Sequence, residues 1–171
     1  MQKLKILPSI ITALTALTLT SCSTTTAEQY EATALTSYTW QVKYANNPTS
    51  EPRPRIETFT TTSVLNRNGV KPPGEVIGPD DRGLWWPTLA PRPTVDEVEQ
   101  RKRPQEEVGK PELVKNVKYK LTYGVGNSQQ TLPTNYDVYR QVVKAYPQRT
   151  PLELTLGVND NSVEKAEPVS K

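Results

Sequence analysis

Val117-Lys118-Tyr119-Lys120-Leu121-Thr122-Tyr123-Gly124-Val125 puts an apolar or aromatic side chain at every second position. A period of two belongs to a strand with one buried and one wet face. Lys118, Lys120 and Thr122 take the wet face. Such clean alternation is typical of antiparallel sheets, because parallel sheets are buried on both sides and read as continuous apolar runs.

Working towards the C-terminus, the period changes. Pro133 and the capping pattern Thr134-Asn135-Tyr136-Asp137 open a segment in which Tyr136, Tyr139, Val142, Val143 and Tyr146 share one helical face, and Pro147 closes it. Leu152, Leu154, Leu156 and Val158 return to period two and predict the last strand. Residues 159–171 read as a polar tail.

Towards the N-terminus, Tyr38, Trp40, Val42 and Tyr44 again alternate with polar residues, giving a half-buried strand stopped by Asn46-Asn47-Pro48. Glu51 to Arg55 is a connector. Ile56 to Leu65 is β-branched and Thr-rich, a second strand antiparallel to the first, with a turn at Asn68-Gly69. Between Pro72 and Pro111 lie eight of the sixteen prolines. This long Pro-rich insertion, residues 66–112, predicts irregular backbone lying over the domain. It contains one capping box, Thr94-Val95-Asp96-Glu97, and a short helix expected at 95–103, with Arg101, Lys102 and Arg103 in its last turn and Pro104 after it.

The fold class expected is α+β: a small, mainly antiparallel sheet with one covering helix and a long Pro-rich irregular segment, over residues 37–158. Residues 22–36 are rich in Ser, Thr, Ala and Glu without evident periodicity, and read as a flexible tether.

The first 21 residues have a different character. Lys3 and Lys5 precede the apolar to weakly polar run Ile6–Thr20, in the shape of a secretory signal peptide. The run is too short and too rich in Thr for a spanning helix, which needs about 20 mostly apolar residues. Leu19-Thr20-Ser21-Cys22 resembles the lipobox of bacterial lipoproteins, with Ser21 where Gly or Ala is commoner. The resemblance covers residues 1–22. It implies removal of 1–21, diacylglycerol on the Cys22 sulfur, acylation of the new amino terminus and a membrane anchor. Ser23 follows the cysteine where an Asp would favour inner-membrane retention, so the resemblance implies the outer membrane, facing the periplasm. Cys22 is the only cysteine in the chain, and it is therefore the one lipidation site.

The remaining composition limits chemistry. The chain carries 21 Lys and Arg against 18 Asp and Glu. Lys3 and Lys5 fall in the segment to be removed, so the mature chain is near neutral. No dense basic stripe exists, and nucleic acid is not an expected partner. There is no histidine. That removes imidazole acid–base work and His-based triads, and lipidation of Cys22 removes thiolate catalysis and zinc–sulfur sites. No catalytic residue, metal or cofactor is expected. Asp80-Asp81 could supply paired carboxylates to a hydrolase, but a solvated turn explains them more simply.

Arg82-Gly83-Leu84-Trp85-Trp86-Pro87 stands out, because it holds two of the three tryptophans within the Pro-rich insertion. Trp85 and Trp86 read either as a lid completing a core short of aliphatics or as a platform, with Arg82, for a partner or for sugar rings. The expected function is a non-enzymatic, lipid-anchored envelope protein with a structural or protein-interaction role. The alternative is a module binding glycan, such as peptidoglycan, or a small ligand.

Overall fold

The computed structural model describes residues 23–46 and 54–169. The expected signal segment 1–21, Cys22, the expected strand stop at Asn47-Pro48 and residues 51–53 of the expected connector lie outside them. The strands are β1 (Thr24–Ala27), β2 (Tyr30–Asn46), β3 (Arg55–Arg67), β4 (Val76–Ile77), β5 (Trp86–Pro87), β6 (Glu106–Val108), β7 (Glu112–Val125), β8 (Ser128–Thr134), β9 (Leu152–Leu156) and β10 (Val163–Pro168). The helices are α1 (Val95–Gln100) and α2 (Tyr136–Ala145). Eight strands form one sheet in the order β1-β9-β10-β8-β7-β2-β3, with β6 continuing the β7 side of β2; β4 and β5 form a separate ribbon. The sheet is mainly antiparallel and α2 is the main helix, an α+β arrangement. At eight strands the sheet is larger than expected.

Strand β2 is the backbone of the molecule. It pairs with β3 from Thr33 to Tyr44 and with β7 from Tyr30 to Gln41. Its even-numbered residues from Tyr30 to Tyr44 face inward. Tyr30, Ala32, Ala34 and Thr36 are buried, and so are Val42 and Tyr44. Residues 23–36 are therefore not a tether. They are β1 and the first half of β2. The inward positions at 32 and 34 are alanine because α2 packs against this stretch of β2, leaving room only for a methyl group. Small residues alternating with Glu31 and Thr33 have the composition of a linker, which hid the period of two.

The C-terminal segment needs the same correction. Val163 and Ala166 are buried in β10, which pairs with β9, so 163–168 is a strand and not a tail. A bulge between Val163 and Lys165 shifts the inward positions from i, i+2 to i, i+3, and no alternation is visible. Val158 lies beyond β9, in a tight turn, and is 55% exposed.

A single parallel pairing, Val163 with Thr134, joins β10 to β8. Helix α2 sits against both β10 and β2. Asn135 caps it, accepting from Val138 N at 3.0 Å; Thr134 ends β8 and donates to Val163 O at 2.6 Å. Val138, Tyr139, Val142 and Ala145 are the buried face of α2, meeting Leu121, Tyr123, Leu152 and Leu154. The opposite face of the sheet is open and hydroxyl-rich. There Thr39 and Thr61 hydrogen-bond at 3.0 Å, and Thr122 and Thr131 at 2.8 Å.

A second, smaller cluster lies at the far end of β2, where Val42, Tyr44 and Val98 are buried with Phe59 and Val108 against them. Helix α1 closes it. The Thr94–Glu97 capping box is formed, but the helix stops at Gln100, so Arg101–Arg103 follow it and do not load its last turn. Arg101 instead lies over the Phe59 ring at 3.9 Å. Beside this cluster, Arg55 clasps the buried Glu106 with two hydrogen bonds, Nε to Oε1 at 2.9 Å and Nη2 to Oε2 at 2.7 Å. Arg103 N donates to the same carboxylate at 2.8 Å. The guanidinium bonded to it holds the Glu106 carboxyl well below the usual range, at about 2.

Candidate functional site

Residues 80–86 form a strap across the inner face of the sheet. The chain first turns on Asp80. Its Oδ1 accepts from Arg82 N at 3.0 Å and Leu84 N at 2.8 Å, while its main-chain oxygen accepts from Gly83 N at 2.9 Å. Gly83 takes φ +75, which a side chain would disfavour. The turn points Leu84 into the main core, where it is fully buried. Trp85 follows with its main chain locked to the sheet, N to Asn66 Oδ1 at 2.8 Å and O to Asn66 Nδ2 at 3.0 Å and Thr36 Oγ1 at 2.6 Å. Asn66 and Thr36 are both fully buried, so two polar side chains of the sheet face stand in for a strand partner.

Trp86 comes next, in β5. Its Nε1 donates to Asp80 Oδ2 at 2.8 Å, and its ring stacks on Tyr38 with centroids 5.1 Å apart. Lys115 Nζ lies 5.5 Å from the Trp86 ring centre and 5.4 Å from that of Tyr38. These rings open onto a groove of about 620 Å³. Tyr38, Leu84, Trp86 and Val117 line its wall, Lys115 and Arg82 supply cations, and residues 77–81 form the rim. Arg82 is exposed and lies over the Tyr136 ring at 5.4 Å.

The tryptophans thus take a middle course between lid and platform. Both are half-buried, and the part that plugs the core is Leu84. Trp86 and Arg82 meet at the groove. Trp85 does not line it; its ring carries Lys71 Nζ at 5.3 Å instead. Asp80 is a staple whose two oxygens are engaged by three N–H groups, and Asp81 beside it is exposed. They do not form a pair of free carboxylates. Among the described residues, no group of three His, Cys, Asp or Glu is placed to hold a metal, and no helix is long and apolar enough to cross a membrane.

Tyr38 and Lys115 belong to the groove without having been singled out from the sequence. Their signal was register: Tyr38 pairs with Lys115 across β2 and β7, which puts both on the inner face. A second hollow, of about 500 Å³, lies between α1 and Gly109–Pro111. Pro93, Val95, Val98, Val108 and Pro111 make it mostly aliphatic, and it lacks aromatic faces.

No protein-family model, no curated protein and no solved structure matches the chain.

Proposed function

We propose that this chain is a lipid-anchored protein of the bacterial cell envelope with a non-enzymatic binding role. It would be held by acyl chains on Cys22, at the outer membrane and facing the periplasm. The observation that carries the reading is the lipobox-like Leu19-Thr20-Ser21-Cys22 after a basic start and an apolar run. Two or more acyl chains hold a protein on a bilayer, at roughly 0.8 kcal/mol per buried CH2. The experiment is a membrane fractionation of wild type and Cys22→Ser. Wild type is expected in the membrane fraction with a mass that includes the acyl groups. The variant is expected as unprocessed precursor or soluble protein. Processing and membrane retention of Cys22→Ser at wild-type levels would overturn the reading.

The strap supports a second element, a ligand groove at Trp86. An indole and a phenol set in a half-apolar groove beside Lys115 and Arg82 suit a ring-bearing, polar ligand such as an envelope glycan strand or a partner's aromatic side chain. Titration of intrinsic tryptophan fluorescence with soluble peptidoglycan fragments tests the glycan case. A saturable change that Trp86→Ala removes and Trp85→Ala retains is expected, and an unresponsive wild type would sink that case.

A further inference from the structure

Resting on the lipoprotein reading, we infer that the folded domain sits directly on the bilayer, with the turn 157–162 against the lipid headgroups and no linker between. Ser23 is already hydrogen-bonded to the sheet. Its main-chain oxygen accepts from Leu156 N at 2.8 Å, and its hydroxyl donates to Asp160. Pairing with β9 follows at once, from Thr24 opposite Thr155 to Ala27 opposite Leu152, and Ala27 is fully buried. Adjacent Cα atoms are about 3.8 Å apart across a peptide bond. The lipid on Cys22 is therefore one residue from a hydrogen-bonded strand.

The part of the domain beside Ser23 is the turn that joins β9 to β10. It is closed by Gly157 N to Ser162 O at 2.9 Å and Asp160 N to Gly157 O at 3.0 Å. Val158 stands exposed on it, and Asn159 and Asp160 hold left-handed backbone at φ 57 and 53. Asp160 and Glu164 give this end carboxylates, with Ser162 donating to Glu164 at 2.6 Å. An exposed valine among carboxylates suits a headgroup layer carrying ammonium groups, such as phosphatidylethanolamine, better than an anionic one. Helix α1 lies at the other end of β2. From Ala34, which is in the row of Thr134, to Tyr44 is ten residues of strand, or about 33 Å.

The test uses the acylated chain in vesicles of phosphatidylethanolamine and phosphatidylcholine that carry a headgroup nitroxide quencher. A fluorophore is placed on Asn161→Cys or, separately, on Val95→Cys in α1. Emission is expected to be lost at 161 and kept at 95. A third protein carries twelve Gly/Ser residues between Cys22 and Ser23, a spacer with a reach of about 19 Å, and is expected to recover emission at 161. Equal emission at 161 and 95, or quenching at 161 that the spacer leaves unchanged, overturns the inference. Mass spectrometry of the same samples separates the two readings, because a chain lacking acyl groups fails the anchor itself, and an acylated chain with unquenched Asn161→Cys fails only the direct seat.

Discussion

The Asn66 side chain pairs with the main chain of Trp85 as a strand would, accepting from its N–H at 2.8 Å and donating to its carbonyl at 3.0 Å. Of the side chains that hold the strap carrying Trp86, Asn66 alone bonds both main-chain groups of Trp85, and Thr36 adds a second bond to the carbonyl at 2.6 Å. Asn66→Ala leaves the Trp85 N–H without its partner in a half-buried position. It is expected to destabilise the domain by about 3 kcal/mol and to shift tryptophan emission to the red. Denaturant unfolding followed by fluorescence checks both, and a change confined to global stability, with native emission untouched, would mean the strap is held by something else.

Leu84→Ala probes the same strap from below. The side chain is fully buried in the main core, so truncation opens a cavity and is expected to cost about 3 kcal/mol. Since Asn66 still holds Trp85, the native emission spectrum should change less than in Asn66→Ala. An unfolding midpoint equal to wild type would show that Leu84 does not contribute to the core.

At the far end of β2 the stability is pH-dependent. The Glu106 carboxyl is held at about 2, against 4.5 when unperturbed. A folded-state value below the unfolded one means its pairing stabilises the fold fully above about 4.5 and ceases to do so as pH falls towards about 2. Glu106→Gln is expected to be less stable at neutral pH and to lose less on acidification. Melting temperatures measured across that window should converge, and parallel curves would refute the assignment.

Gly69 tests the contact between the turn after β3 and α2. Its φ is +73, and a Cβ there would lie 2.6 Å from Val143 Cγ1. Gly69→Ala is expected to cost about 2 kcal/mol through overpacking and left-handed strain. Adding Val143→Ala should return part of that loss, measurable as a double-mutant cycle, whereas strict additivity would assign the whole cost to backbone strain.

What the sequence disclosed depended on how large the inward residues are. Where Tyr, Leu and Val alternate, as in Tyr119–Val125 or Leu152–Leu156, strand and face were both legible. The helix at Tyr136 and the capping box at Thr94 were legible for the same reason, because each carries a local, short-range pattern. At the start of β2, close approach of the helix demands alanine, and the pattern fades into linker-like composition. In β10 a bulge breaks the period. The groove was half legible: the Trp pair drew attention, but Tyr38 and Lys115 reach it only through the pairing of β2 with β7, which lies between residues far apart in the chain.

The register of β3 carries a last consequence. Thr39 faces Thr61 and Gln41 faces Thr58, so β3 has one residue more than its partner between those rungs. Exposure along the strand changes phase there, with Thr60 and Thr61 both outward. The extra residue acts like a frameshift. Upstream of it, Arg55, Glu57 and Phe59 are read onto the inner face; downstream, Thr62, Val64 and Asn66 are. Removing Thr60 would restore an unbroken alternation in which residues 55, 57 and 59 keep the inner face together with 62, 64 and 66, so Arg55 would still meet Glu106 and Asn66 would still lie under Trp85. One strand thus serves the inner face with odd-numbered residues at one end and even-numbered residues at the other, and the doubled outward pair Thr60-Thr61 is where the two numberings are reconciled.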